Sequence, residues 1–249
     1  MRNQSGKIAL IDSDWMVYRV GFASEDDDEK YALSRLTELL TDTVYFKLGC
    51  DDYEAYLTGK TNFRYGIAKT QPYKGNRKDM KKPRHYEALR QHLVRLGAKV
   101  SENCEADDMV AMKMSQFSDY ILVGVDKDLL QIPGKHYNPV SDLLFDIDEY
   151  SASYNFWTQM LTGDRTDHIP GLAGIGPKKA EKILLDLANE TDMCKIVWHT
   201  YQQKGHDYEY FLEQGRLLWL QRYEGEMWEP NVKDLQPNKL ERNTDGEAA

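Results

Sequence analysis

Residues 7–12 read KIALID and residues 120–126 read YILVGVD, and these two stretches decide the fold. Both are short apolar runs of strand-forming residues that end in an aspartate, which is typical of buried strands in a parallel sheet. Residues 53–57, YEAYL, predict a weaker third strand. The sheet is therefore expected to have at least these three strands at its centre.

Helical periodicity separates the predicted strands. Apolar residues recur every three or four positions over residues 33–48 and again over residues 86–96. Strands that alternate with helices favour an α/β fold, with a mostly parallel sheet flanked by helices. After about residue 150 the strand signals fade, and the remaining periodicity predicts a C-terminal helical region with helices over residues 154–161, 178–187 and 208–223.

These patterns predict three parts in the chain. Residues 1–150 form an α/β core, which includes a basic segment at about residues 60–99, and residues 151–232 form a helical region. Residues 233–249 are polar and contain Pro237, Gly246 and several asparagines, so they predict a flexible tail.

Composition narrows the class of protein. No run of about 20 apolar residues predicts a membrane span, and the N-terminus has no apolar signal segment, so we expect a cytoplasmic protein without a membrane partner. The cysteines are Cys50, Cys104 and Cys194, whose wide spacing fits neither a disulfide framework nor a zinc site. The six histidines are also scattered, so any metal site should consist of oxygen ligands.

Charge is segregated along the chain. The formal net charge is −9, from 32 basic and 41 acidic residues, but residues 60–99 hold twelve Lys or Arg against only Asp79 and Glu87. The rest of the chain therefore holds 20 basic and 39 acidic residues. A basic stripe beside an acidic remainder suits a protein that binds phosphates in one place and cations in another, although a solvated helix face is the simpler alternative.

Acidic residues form four groups at predicted element boundaries: Asp12 with Asp14, then Glu105, Asp107 and Asp108, then Asp126 and Asp128, and finally Asp164 and Asp167. Ligands of open α/β sheets bind beyond the carboxyl ends of the strands, where these groups would meet. Converging carboxylates repel one another unless cations neutralise them, and magnesium or manganese suits oxygen ligands better than zinc does. The alternative for each single group is a helix N-cap.

Residues 169–182, IPGLAGIGPKKAEK, predict a helix-hairpin-helix motif. Gly171, Gly174 and Gly176 permit a tight hairpin, and the proline that follows suits the first position of a helix. The exposed backbone N–H groups can hold a phosphate without reading bases, and Lys178 and Lys179 add positive charge. A plain turn between two helices is the alternative.

Residues 72–84, PYKGNRKDMKKPR, combine basic residues with Tyr73 between prolines. This composition predicts a mobile arm that contacts a nucleic-acid strand and stacks on a base. An ordinary exposed basic loop would have the same composition.

The order of the motifs LIDSDW, PYKGNR, ENCEADD, VGVDKD and TGDRTDHIPGLAGIGPKKA over residues 7–187 resembles the 5′ nuclease superfamily. This superfamily includes flap endonucleases, the 5′ nuclease domain of bacterial DNA polymerase I and, as the nearest resemblance, free-standing bacteriophage-type 5′-3′ exonucleases. The resemblance implies a PIN-like sheet and a metal-dependent 5′-3′ exonuclease or flap endonuclease that leaves 5′-phosphate products. Its partner would be DNA with a free 5′ end, a flap or a junction, bound by a monomer.

The resemblance also implies roles for individual residues. Lys74 and Arg77 would steady the scissile phosphate, and Tyr73 would stack on a base. Two Mg²⁺ or Mn²⁺ ions would be held by the carboxylates of Asp12, Glu105, Asp107, Asp108, Asp126, Asp128, Asp164 and Asp167. DNA would be contacted by Lys78, Lys81, Lys82, Arg84, Gly174, Gly176, Lys178 and Lys179. The hairpin would hold a potassium ion through backbone oxygens.

The sequence departs from the family pattern at the end of the second strand. Thr58 and Gly59 stand where a further ligand aspartate is usual, so water, Asp51 or Asp52 would complete that site, and Asp14 would be an additional carboxylate. The departure keeps open a DNA-binding protein that has lost catalysis. The acidic groups would also fit a PIN-like ribonuclease, or a phosphatase with Asp12 as its nucleophile.

Overall fold

A computed structural model describes residues 6–77, 80–116, 119–231 and 235. Its sheet has the strand order β3-β2-β1-β4-β5-β6. The strands are β1 (Ile8–Asp12), β2 (Asp52–Leu57), β3 (Lys99–Val100), β4 (Tyr120–Val123), β5 (Gly134–Asn138) and β6 (Leu143–Ile147). All neighbouring pairs are parallel except β5 with β6, which confirms the predicted mostly parallel sheet.

Helices cover both faces of the sheet and form the C-terminal region. They are α1 (Asp14–Ala23), α2 (Glu29–Thr41), α3 (Arg64–Ile67), α4 (Tyr86–Arg95), α5 (Ala106–Met114), α6 (Glu149–Thr162), α7 (Pro177–Leu184), α8 (Glu190–Gln203) and α9 (Tyr208–Leu218). A π-helical turn, Asp42–Lys47, extends α2, and 3₁₀ turns occur at Gly75–Arg77 and Lys127–Gln131. Helical periodicity predicts parts of α2, α4, α6, α7 and α9 but misses α1, α3 and α8. The strands β3, β5 and β6 are also missed.

Alternation along β1 sorts its side chains between two apolar layers, because successive side chains of a strand point to opposite faces. Ala9 and Ile11 pack with residues of α1, α2 and α4, whereas Leu10 packs with residues of α5. Both faces of β1 are therefore buried, as the uninterrupted apolar run predicted.

A separate apolar cluster holds the C-terminal helices together. Its centre is aromatic, and Phe156 and Trp157 of α6 pack against Phe211 of α9 and against Trp228. The predicted tail, residues 233–249, lies outside the described residues except for Leu235, which packs against this cluster. Among the described helices, none combines the length and the apolar content that a membrane span requires.

Two glycines join the end of α6 to the hairpin that follows. Gly163 and Gly171 have φ angles of 68° and 59°, in the left-handed region. A Cβ atom on Gly171 would lie 2.2 Å from the backbone nitrogen of Gly163, so the two chain segments touch through their backbones. Backbone bonds between Asp164 and Ile169, at 2.7 and 2.8 Å, close the intervening loop.

Substitution Gly171→Ala is expected to lower the free energy of unfolding by about 2–4 kcal/mol, because it adds left-handed strain to an overlap with backbone atoms. Gly66→Ala is the matched control, since its added Cβ in α3 meets nothing within 4 Å. That control should leave stability unchanged or raise it slightly. Urea unfolding checks both variants, and equal midpoints for the two would contradict the close packing of the hairpin.

Candidate active site

The sheet topology gathers the acidic groups at one edge. Asp12 ends β1, and Asp126 follows β4, its parallel neighbour. Glu105 caps the N-terminus of α5 and Asp107 lies in its first turn. Asp164 lies in the loop after α6.

The electrostatics of this edge link the four acidic groups into one cluster. Burial raises the pKa of Asp12, and the nearby charges of Asp14, Asp126 and Glu105 raise it further. Burial, followed by the charges of Asp126 and Asp164, raises the pKa of Asp128 to about 8.

Burial also raises the pKa values of Asp107 and Asp167, and each carboxylate interacts with Glu105. Glu105 thus connects the group on α5 with the loop after α6. The four acidic groups converge as predicted. We give the name carboxylate cluster to seven of these side chains: Asp12, Glu105, Asp107, Asp126, Asp128, Asp164 and Asp167.

Cationic side chains of residues 74–77 lie against the carboxylate cluster. Lys74 pairs with Glu105, and its Nζ is 3.6 Å from Oδ2 of Asp167. Arg77 pairs with the other oxygen of Asp167. Burial opposes the charged form of Lys74, but the carboxylates of Glu105, Asp167 and Asp107 outweigh it and raise the pKa of the lysine. The predicted phosphate-binding residues are therefore held at the cluster.

The segment that carries these two cations is docked on the loop after α6. The N–H of Lys74 donates to the carbonyl of Asp167 at 2.9 Å, and Asn76 Nδ2 donates to the carbonyl of Arg165 at 2.8 Å. Arg77 Nε donates to the carbonyl of Thr166 at 3.1 Å. The predicted mobile arm is thus anchored over residues 72–77.

Tyr73 departs from its predicted role. Its side chain is only 5% exposed, and its hydroxyl lies 2.8 Å from oxygens of both Glu105 and Asp167. Tyr65 meets its ring edge-on. The ring is buried in the apolar cluster of the C-terminal helices, so neither of its faces is open for stacking on a base in this conformation.

The remaining predicted basic contacts lie beyond the docked segment. Lys81 binds Glu25 at 2.8 Å, and the ammonium of Lys82 lies 4.2 Å from the centre of the Tyr86 ring. Arg84 is exposed, and its backbone N–H donates to Glu25. Lys78 lies outside the described residues. The side chains of Lys81, Lys82 and Arg84 are on the surface next to the start of α4.

Asp108 has a different environment from the other predicted ligands. It is fully buried, and Arg64 donates two hydrogen bonds to it, at 2.6 and 2.8 Å. The N–H groups of Glu105 and Gln221 each donate a further bond at 3.0 Å. Burial alone would raise the pKa of Asp108, but Arg64 outweighs it and lowers the value. Since these four bonds occupy both oxygens, we omit Asp108 from the proposed ligand set.

Two residues that the sequence analysis had not singled out contact the cluster. Lys127 Nζ is 2.7 Å from Oδ2 of Asp164, and Gln159 donates to Asp128. Burial would raise the pKa of Asp164, but its hydrogen bond with Lys127 and the backbone bonds to its carboxylate lower it. Lys127 was recognisable from its position between Asp126 and Asp128, whereas Gln159 on α6 carried no such signal.

The end of β2 has its own charged contacts. The N–H of Thr58 donates to Asp14 at 2.9 Å, and Arg90 bridges Asp14 and the carbonyl of Thr58 at 2.8 and 2.6 Å. Asp14 therefore lies beside the cluster, as expected. Asp51 and Asp52 lie at the start of β2, at the opposite edge of the sheet, so the expectation that one of them replaces a ligand is wrong.

The hairpin presents its positive side to solvent. Gly176 is the N-cap of α7, which begins with Pro177, and Lys178 is exposed in the first turn. Lys179 Nζ donates to the carbonyl of Gly174 at 2.8 Å, so a lysine cation occupies one of the hairpin oxygens. A potassium ion at this hairpin stays a prediction.

The type of donor in the cluster fits a hard divalent ion, because it consists of carboxylates. Within residues 6–77, 80–116 and 119–231, no three His, Cys, Asp or Glu side chains are already arranged around a common metal position. The cations of Lys74, Arg77 and Lys127 instead balance part of the negative charge. Burial, and after it the neighbouring carboxylates, still raises the pKa values of Asp12 and Asp128.

The fold and this site define an α/β protein with a carboxylate cluster at the sheet edge and a helix-hairpin-helix beside it. No protein-family model matches the chain. Over 133 residues it is 34% identical to flap endonuclease Xni of Shewanella frigidimarina, covering 45% of this chain and 50% of that protein. It is 30% identical over 113 residues to a 5′-3′ exonuclease of Aquifex aeolicus, 40% and 39% of the two chains.

A longer match joins the chain to DNA polymerase I of Caldicellulosiruptor bescii, with 24% identity over 210 residues. It covers 72% of this chain but 24% of the polymerase, so the chain spans about a quarter of that relative. The structure of T5 5′-exonuclease with bound zinc has the same fold, with a TM-score of 0.62, 16% identity and coverage of 85% and 88%. The predicted resemblance to 5′ nucleases is therefore confirmed by these sequence relatives, and the T5 structure confirms the predicted fold class.

Substitution Arg64→Met is expected to lower the free energy of unfolding by about 3–5 kcal/mol, because it leaves the charge of Asp108 buried without its partner. Adding Asp108→Leu should recover part of that loss, since the unpaired charge then disappears. Arg95→Met, at an exposed position in the last turn of α4, is the control and should change stability little. Urea unfolding checks the set, and an Arg64→Met protein as stable as the control would refute the buried pair.

Proposed function

We propose that this protein is a divalent-metal-dependent 5′ nuclease that hydrolyses phosphodiester bonds of DNA, as a 5′-3′ exonuclease or a flap endonuclease. The observation that carries the proposal is the carboxylate cluster, in which burial and mutual repulsion raise the pKa values of Asp12, Asp107, Asp128 and Asp167. The relatives named 5′-3′ exonuclease and flap endonuclease Xni support the same activity.

The proposed metal ligands are Asp12, Glu105, Asp107, Asp126, Asp128, Asp164 and Asp167. Bound there, two Mg²⁺ or Mn²⁺ ions would polarise the scissile phosphate and the attacking water. Solved T5 5′-exonuclease structures hold metal ions, which agrees with a divalent-ion requirement.

Lys74 and Arg77 supply the positive charge that the protein itself brings to the reacting phosphate. Lys74 pairs with Glu105 and Arg77 pairs with Asp167, so both cations lie close to anything that those carboxylates hold. A phosphate that approaches the cluster would meet them as fixed donors, and such donors stabilise the charge that develops in the transition state. The anchoring of residues 72–77 keeps both donors oriented before DNA binds.

We expect the protein to bind duplex DNA through contacts to the phosphates of the DNA backbone. The N-terminus of α7 and the exposed Lys178 can bind a phosphate of one strand without reading its sequence. Lys81, Lys82 and Arg84 extend the positive surface near α4. The solved complex of a T5 flap endonuclease with DNA and metal ions has the same fold and supports DNA as the partner.

The direct test incubates the purified protein with 5′-flap and blunt duplex DNA of matched sequence, labelled at the 3′ end. Cleavage should require Mg²⁺ or Mn²⁺, cease in EDTA and leave 5′-phosphate ends on the shortened labelled strand. The product lengths on the two substrates separate exonuclease from flap cleavage. Retention of DNA without cleavage in either ion would instead favour a DNA-binding protein that has lost catalysis.

Substitution Lys74→Ala is expected to lower kcat by about 100-fold while the Kd for flap DNA changes by less than about fivefold, because the lysine acts at the reacting phosphate. Lys135→Ala is the control, since this exposed lysine on β5 pairs with Asp146 far from the cluster. Steady-state cleavage kinetics give kcat, and fluorescence anisotropy gives the Kd. Equal losses in rate and in affinity would show that Lys74 only anchors the DNA.

A further inference from the structure

Glu213 has a set of contacts that the proposed chemistry does not use. It lies in α9, is only 9% exposed, and accepts three hydrogen bonds from the loop that precedes Lys74. The N–H groups of Lys69 and Thr70 donate to Oε1 at 2.7 and 2.8 Å. The hydroxyl of Thr70 donates to Oε2 at 2.7 Å. Bonds from N–H and O–H groups to a charged carboxylate are stronger than those between neutral groups.

The loop that Glu213 binds follows α3, where Ile67 and Ala68 pack against the apolar cluster of the C-terminal helices. Lys69 and Thr70 are themselves exposed, and α3 before them is a single helical turn. Arg64 at the start of α3 donates to the carbonyl of Leu217, which lies one helical turn after Glu213. Helix α9 therefore contacts this segment at two points, through Leu217 and through Glu213.

The position of the Lys74 side chain depends on the backbone conformation of the loop that leads to it. The φ angle of Lys74 is 53°, a left-handed conformation that is unfavourable for a residue with a side chain. Such a conformation persists only when the surrounding structure enforces it. The downstream constraint is the bond from the Lys74 N–H to Asp167. Upstream, Tyr73 is held by the bonds of its hydroxyl to Glu105 and Asp167. Glu213 holds the chain earlier, at Thr70, four residues before Lys74.

We propose that Glu213 is a positioning residue that sets the placement of Lys74 at the carboxylate cluster, a role that rests on the proposed nuclease function. It acts as an acceptor of hydrogen bonds and not as a charge near the reacting phosphate. Glutamine at this position keeps an oxygen for both N–H groups and an amide that donates to the Thr70 hydroxyl. Alanine keeps none of the three bonds.

The first experiment compares Glu213→Ala, Glu213→Gln and the control Glu209→Ala, which removes an exposed glutamate from the same helix. Glu213→Ala should lower kcat by about tenfold to 100-fold with KM changed by less than about threefold, because misplacement of a catalytic group affects the chemical step. Glu213→Gln and Glu209→Ala should keep wild-type kcat. A glutamine variant as slow as the alanine variant, with normal unfolding midpoints, would overturn the proposal.

A double-mutant cycle asks whether Glu213 acts through Lys74. If it does, Glu213→Ala should slow the Lys74→Ala protein by less than about twofold, because coupled positions are not additive. A full additional loss in the double variant would overturn the proposal. Thr70→Val, which removes one of the three bonds, should give a smaller loss of kcat in the same direction, and an unchanged rate in this variant counts against the proposal.

Amide hydrogen exchange separates this proposal from the nuclease assignment, since it needs no activity. Glu213→Ala should speed exchange of the Lys69, Thr70 and Lys74 amides, whereas Glu213→Gln should not. Unchanged protection in Glu213→Ala would refute the positioning role even in an active enzyme. Faster exchange in a protein that cleaves no DNA would uphold the contact and refute the proposed function.

Discussion

The repulsion among buried carboxylates at the carboxyl edge of the sheet is the constraint on which this structure depends. Asp12 ends a strand buried on both faces, and its charge meets those of Asp126 and Glu105 from neighbouring elements. Burial raises the free energy of a charged carboxylate, and the proximity of the other carboxylates raises it further. Nearby cationic side chains balance only part of this negative charge, and a divalent ion would relieve the remainder.

The basic segment after β2 contacts carboxylates both in the protein interior and at the candidate site. Arg64 is buried against Asp108 and against carbonyls at the end of α9, so it joins the sheet edge to the C-terminal helices. Ten residues later, Lys74 reaches the cluster itself. The positive charge of this segment thus serves both the fold and the candidate site, and the exposed lysines beyond it remain available for a phosphate backbone.

Features with a local signal were predictable from the sequence. The apolar runs of β1 and β4, the aspartates that end them and the glycines of the hairpin each follow from residue types at short spacing. The hairpin of β5 and β6 was missed because only Ile147 of β6 is buried, so no alternation marked that strand. The burial of Tyr73 and Arg64 depends on partners far along the chain, such as Asp167 and Leu217, and spacing within a basic segment cannot reveal them. Asp108 likewise looks like its neighbour Asp107 in sequence, but its environment is set by Arg64 and Gln221, which are distant along the chain.

The most direct test of this account is an anomalous difference map from crystals of the protein grown with Mn²⁺. The account predicts manganese peaks at the carboxyl edge of the sheet, among Asp12, Glu105, Asp126 and Asp164. Crystals saturated with manganese that show no peak among these carboxylates would contradict it.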